Sequence, residues 1–217
     1  MAHYFWEPVK LSLEVASVSI IIVFFTGIIF ARLMTRVQFK GKIIVETLFM
    51  LPLVLPPTVV GFLLVIIFGN NSPIGIFIES LFNKQLMFTW WAAVIASTIV
   101  AFPLMYQSAK AGFLNVDRDI EEAARIDGAS EFKVFIYITV PAAMRAIVSG
   151  IILSFARALG EFGATLMFAG NIPGKTQTTP TAIYVALDSG NIQLAWLWVI
   201  SILIISFFML LMTSMLK

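Results

Sequence analysis

The chain has 217 residues, 60% of them apolar and 12% charged, with a formal net charge of +2. Soluble domains carry roughly 25% charged residues, so this composition excludes an ordinary soluble fold and predicts a polytopic helical membrane protein. No cysteine is present, which rules out disulfides, thiolate metal sites and cysteine nucleophiles. The one histidine, His3, reads as a tail residue, and no histidine-based metal centre is expected.

Apolar runs fall at about 11–34, 43–68, 88–110, 140–168 and 194–216. Each is long enough to cross a hydrocarbon core of about 30 Å, and none shows the period-2 alternation of a membrane β-barrel. The expected fold is a single all-α transmembrane domain over residues 1–217 with five spans. The first run lacks a basic leader and a cleavage site, so it reads as a retained span.

Orientation follows from basic residues in short loops. Arg32, Arg36, Lys40, Lys42, Lys110, Arg118, Arg125, Lys133 and Lys217 fall on one side, against Lys10, Lys84 and Lys175 on the other. This bias places the N-terminus outside and the C-terminus in the cytoplasm, together with the polar segment 117–139.

The second run contains Leu51-Pro52-Leu53-Val54-Leu55-Pro56-Pro57-Thr58-Val59-Val60-Gly61. Prolines remove backbone donors and free carbonyls of the preceding turn. Within a bilayer such a break is tolerated where protein or a water-filled path surrounds it. A packing kink and a segment lining a substrate route fit equally well. Pro103 in the third run is a lone kink and reads as structural.

Segment 117–139 is a charged helical hairpin in an otherwise apolar chain. Asp119 is a candidate N-cap, and Glu122 completes a pair resembling a capping box. A helix is expected from about Ile120 to Asp127, with Gly128 in the left-handed position that ends it. Ser130 can cap a second helix over Phe132–Tyr137, ending near Pro141. Ala123 and Ala124 leave one face flat, and Ile120 offers an apolar anchor for a partner's groove.

The fourth run ends in Ser154-Phe155-Ala156-Arg157-Ala158-Leu159-Gly160-Glu161-Phe162-Gly163-Ala164-Thr165. Arg157 and Glu161 are four apart and lie where an unpaired charge is costly. They form a structural pair, or Arg157 draws an anion along a path while Glu161 tempers its charge. Hydroxyls at Thr58, Ser97, Thr98, Ser149 and Ser154 are available to such a path or to their own helices.

Gly174-Lys175-Thr176 has the ending of a phosphate-binding loop, but the first glycine should be at 169, where Ala169 stands. No ATP site is therefore expected in this chain. Thr178–Leu187 reads as a short amphipathic helix with Thr179 as N-cap and Pro180 at its first position, and Pro73–Leu81 is similar. Trp90, Trp91, Trp196 and Trp198 lie at run ends and read as interface anchors.

The spacing Glu122-Ala123-Ala124-x3-Gly128-x9-Ile138-x-Val140-Pro141 resembles the cytoplasmic EAA loop of ABC importer permeases, with Val140 where the family pattern has Leu. The segments Leu51–Gly61 and Phe155–Thr165 resemble signatures of molybdate permeases, and Asn171–Thr176 continues the second. This resemblance implies the type I ABC importer permease fold, a homodimer around a central path in a prokaryotic cell membrane. It also implies two cytoplasmic ABC ATPase subunits that use ATP and Mg, and an extracytoplasmic molybdate-binding protein. Neither a cofactor in this chain nor catalysis by it is implied, and no nucleic acid.

On that resemblance Ile120, Glu122, Ala123, Ala124 and Gly128 couple to the ATPase. Pro56, Pro57, Thr58, Ser154, Arg157 and Glu161 are candidates for the path or its gate. Tungstate, sulfate, phosphate or thiamine are other substrates within the same family. An ion-coupled carrier is the reading from another class, and it would need deep coupling carboxylates; only Glu14, Glu46 and Glu161 come near the spans.

Overall fold

A computed structural model describes the backbone of residues 2–214 and the side chains of residues 5–214. Helices make up the fold, with no strand among the described residues. Helix α1 spans Ala2–Arg36, 35 residues or about 52 Å. His3 falls inside it and not in a tail, though its side chain lies outside the described residues, as do Lys217 and the end of the last apolar run. Helices α2 (Lys42–Val54), α3 (Pro57–Phe68) and α4 (Pro73–Phe82) follow, then the central α5 (Trp90–Leu114).

Helices α1 and α5 lie side by side and point the same way. Ser19 Oγ donates to the Val94 carbonyl at 3.0 Å. Further along, a Cβ at Gly27 would sit 2.7 Å from Met105 Cγ, so only glycine permits this approach. Helix α9 (Met144–Leu159) runs back along α5, with Gly150 against Ser108 and Met105. Small residues let helix backbones close on one another where lipid supplies no hydrophobic drive. The core so formed holds Val23, Met105, Tyr106, Ile147 and Leu159.

Three helices are long and apolar enough to cross a membrane alone: Phe5–Arg36, Trp90–Leu114 and Ile192–Ser214. The apolar run at 43–68 is a bent pair instead of a straight helix, and the run at 140–168 belongs in part to another bent pair, which starts in the polar hairpin and stops before the end of the run. Lys42–Val54 and Pro57–Phe68 meet at 116°, and Glu131–Ala142 and Met144–Leu159 at 73°. Counting each pair as one span gives five.

The first bend has a local cause. A residue before proline is driven out of the helical region, and here two such residues stand in sequence. Leu55 is extended (φ −69°, ψ 143°) and so is Pro56 (φ −53°, ψ 137°). Pro52 lies inside α2 without ending it, so the break belongs to Pro56 and Pro57 alone.

After α9 the chain breaks again at Gly160–Phe162 and restarts as a short helix, α10 (Gly163–Phe168). Helix α11 (Thr179–Asp188) begins one residue earlier than its sequence suggests, with Thr178 as N-cap and Pro180 in the second position. Helix α12 (Ile192–Ser214) is exposed on nearly all sides. Of the tryptophans expected at the interface, Trp91 and Trp196 are exposed, but Trp198 is buried and donates from Nε1 to the Phe5 carbonyl at 2.9 Å.

Candidate functional site: the polar hairpin and the crossing of two broken helices

The hairpin begins directly after α5. Helix α6 spans Arg118–Ile126, and its N-cap is Asp117, whose carboxylate accepts from the Asp119 amide at 2.9 Å. Asp119 therefore lies in the first turn and not at the cap. Only Asn115–Asp117 separate α5 from α6, so the helix starts as soon as one residue turns extended. Glu122 consequently lies past the capping-box position and is exposed, with no cap bond.

Gly128 takes φ +88°. Its amide and that of Ala129 bond back to the Arg125 and Ala124 carbonyls, closing the helix as expected. Ser130 then caps α7 (Glu131–Val134), accepting from the Lys133 amide. The second helix runs on past Tyr137 through a π turn at Phe135–Thr139 and ends with α8 (Val140–Ala142), near Pro141 as expected, before bending into α9. Pro141 needs no acceptor for an N–H it lacks, and it sits at the start of α8, where it is tolerated.

The residue that organises the hairpin is Glu121, which sequence reasoning passed over for its neighbour. Glu121 is buried (7% exposed) while Glu122 is exposed. Its Oε1 accepts from Arg32 Nη1 at 3.2 Å and from Thr139 Oγ1 at 2.5 Å. Its Oε2 accepts from Arg36 Nη2 at 2.7 Å and Arg125 Nη2 at 3.1 Å. Burial alone would raise this carboxyl. The bonds from Thr139, Arg125 and Arg32 and the charge of Arg36 outweigh burial and hold it down at about 2.

Glu131 joins the same network through Arg125 Nε and Arg36 Nη1, and the hydrogen bond from Arg125 lowers its carboxyl below the ordinary range. Arg32 also lies over the Phe135 ring, 4.9 Å from its centroid. A cavity of about 240 Å³ opens beside the network, lined by Arg32, Arg36, Arg118, Glu122 and others.

The outward face of the hairpin carries the remaining expected residues. Ile120 is half exposed, Ala123 is exposed and Ala124 partly so. Ile126 (86% exposed) and Phe132 (73%) project further than Ile120 does. Their signal in the sequence was apolar character inside a charged hairpin.

The two helix breaks meet. A Cβ at Gly163 would lie 2.9 Å from Pro57 Cβ and 3.4 Å from the Thr58 amide nitrogen, and one at Gly61 would lie 3.0 Å from Ala164 Cα. Glu161, 2% exposed, accepts from the Ala164 amide at 2.8 Å through Oε1 and so caps α10. Its Oε2 lies 2.8 Å from Arg157 Nη1, an ion pair lacking hydrogen-bond alignment. The pair thus ties the end of α9 to the start of α10. Pro56, Pro57 and Thr58 are exposed on the face of the single chain. Ser154 is not brought to that face: its hydroxyl is buried and unpartnered, as are those of Thr98 and Thr165.

Residues 21–217 match the family described as the binding-protein-dependent transport system inner membrane component. The chain belongs to that family. It is 63% identical over 209 residues to YvgM of Bacillus subtilis (strain 168), whose name as a molybdenum transport system permease is provisional; the match covers 96% of this chain and 92% of YvgM. It is 42% identical over 199 residues to the molybdenum transport system permease protein ModB of Escherichia coli (strain K12), covering 91% of this chain and 87% of ModB. Among solved structures, a bacterial ABC transporter that imports alginate superposes with a TM-score of 0.76 over 99% of this chain and 80% of its own, at 17% identity. That likeness establishes the type I importer permease fold.

The permease's Gly174-Lys175-Thr176 forms no phosphate cradle. The amides of Lys175, Thr176 and Gln177 all turn back to the Ile172 carbonyl, and the Thr176 hydroxyl accepts from the Ile172 amide. The loop's donors are spent on its own fold.

Proposed function

We propose that this permease is the membrane-spanning subunit of an ATP-driven importer of molybdate. Identity along almost the whole chain to permeases named for molybdenum carries the substrate assignment. Two copies surround the path in a prokaryotic cell membrane, two ABC ATPases bind ATP and Mg below, and a molybdate-binding protein delivers the anion from outside.

The homodimer is supported by where the chain is broken. Freed carbonyls next to Pro56 and Pro57 cannot face lipid, and these residues are exposed in one copy. A second copy and the water-filled path between them satisfy that face. Uninterrupted α12, exposed on nearly all sides, suits lipid.

Energy enters at the hairpin. The basic ends of α1 and α5 lie at its side of the bundle, which supports a cytoplasmic position. The apolar projections Ile120, Ile126 and Phe132 fit a groove on the ATPase, and ATP-driven closure shifts the permease between inward- and outward-open populations. The carrier reading loses support from the carboxylates: Glu14 pairs with Lys10, Glu46 with Lys110 and Glu161 with Arg157.

Uptake of labelled molybdate into proteoliposomes holding the full complex tests this reading. Vanadate should abolish uptake and collapse of the ion gradient should not; the reverse result assigns a carrier. Competition by tungstate and sulfate ranks the substrates. Glu122→Lys and Gly128→Pro should leave the protein in the membrane yet separate hydrolysis from uptake.

A further inference from the structure

We propose that Glu121 is the positioning residue that fastens the ATPase-docking hairpin rigidly to α1, so that movement of the hairpin becomes movement of the transmembrane bundle. This inference rests on the transport reading above.

Each bond of Glu121 reaches a different element. Arg32 and Arg36 belong to the last turns of α1, Arg125 to α6 itself, and Thr139 to the π turn that leads to α9. Glu131 of α7 closes the ring by bridging Arg125 and Arg36. The carboxylate therefore sits where the docking helix, its return helix and the first membrane helix converge. It is buried beneath the docking face and absent from it, which separates it from the exposed Glu122.

The π turn is part of the device. Its wider register (the Val140 amide bonds to the Phe135 carbonyl) carries the fully buried Thr139 to within reach of Glu121. Insertions of this kind often mark functional sites. With both carboxylate oxygens doubly engaged, the hairpin cannot pivot on α1 without breaking charge-assisted bonds. A displacement imposed from below is thus handed on instead of being absorbed. A loose hairpin would instead follow the ATPase while α1 stayed behind.

The test uses the full complex in nanodiscs and proteoliposomes. Glu121→Gln keeps an acceptor for Thr139 and discards the charge, while Arg36→Gln removes one spoke at the half-exposed end of α1. Both should leave ATPase copurification and basal hydrolysis within about twofold. Molybdate taken up per ATP should fall about tenfold in Glu121→Gln and less in Arg36→Gln, a size typical of one coupling interaction. Nitroxides at position 37 and at the exposed helix-end position 127 should give one narrow distance through the ATP cycle in the parent and a broad one in Glu121→Gln.

Unchanged uptake per ATP in both variants, or a narrow distance in Glu121→Gln, overturns the proposal. Loss of ATPase copurification in both also overturns it, because Glu121 would then serve docking or folding itself. If the parent complex neither holds an ATPase nor takes up molybdate, the transport reading fails, and the label distances still decide the joint.

Discussion

Glu121 and Glu161 are both carboxylates buried among helices, but they are satisfied to different degrees. Glu121 takes bonds from Arg32, Arg36, Arg125 and Thr139. Glu161 has one aligned bond, from the Ala164 amide, and one misaligned ion pair with Arg157. Around Glu121 the helix ends are capped; around Glu161 two helices are broken against each other and the hydroxyls of Ser154 and Thr165 lack partners. A saturated network resists rearrangement, which suits the rigid transmission proposed for the hairpin; the crossing lacks that saturation.

The sharpest challenge to this contrast is Glu161→Ala. It strips the cap from α10 and leaves Arg157 without its counter-charge, which should cost roughly 3–5 kcal/mol, read as a lower unfolding midpoint in detergent. Arg157→Ala combined with Glu161→Ala should recover much of that stability. If stability returns but uptake does not, Arg157 contacts the anion as well as its partner. If neither single variant matters, the crossing is not held by this pair.

Acid tests the other region. The Glu121 carboxyl lies at about 2 instead of the ordinary 4.5, so its contribution is complete above pH 4.5 and disappears as pH falls through 2. The amount is roughly 3 kcal/mol. A nitroxide at position 127 should stay ordered down to about pH 4 and gain mobility below it, and Glu121→Gln should abolish this transition. Mobility already high at neutral pH would contradict a saturated joint.

The smallest effects form a matched pair. Thr139→Val removes a charge-assisted hydrogen bond and should cost about 2 kcal/mol, whereas Thr165→Val deletes a hydroxyl with no partner and should be neutral or stabilising. Equal costs measured by denaturation of the two variants would erase the distinction between the regions.

The sequence made some of this legible and not the rest, for physical reasons. Gly128 and Ser130 were readable because caps depend on neighbours a few residues away. Pro56 and Pro57 announced a break for the same reason. Which of Glu121 and Glu122 turns inward was not readable locally: it follows from Arg32 and Arg36, 89 and 85 residues away. Placing the cap at Asp119 also started the expected helix two residues late, at Ile120 instead of Arg118. The meeting of Pro57 with Gly163, and the burial of Trp198 beneath Phe5, are likewise products of tertiary packing.

The unbroken length of α1 has a mechanical consequence. Near one end it holds the hairpin through Arg32 and Arg36. Near the other, Ser12 Oγ accepts from the Thr179 amide and the Phe5 carbonyl accepts from Trp198. A rod of about 52 Å that tilts by about 5° around its midpoint displaces each end by about 2 Å in opposite senses. Such a stroke is enough to exchange one set of hydrogen bonds for another at the far surface. Pro8 lies near the N-terminal end of α1 and no proline follows it before Arg36, so the first helix can carry a signal from Ser12 to Arg36 without a proline hinge.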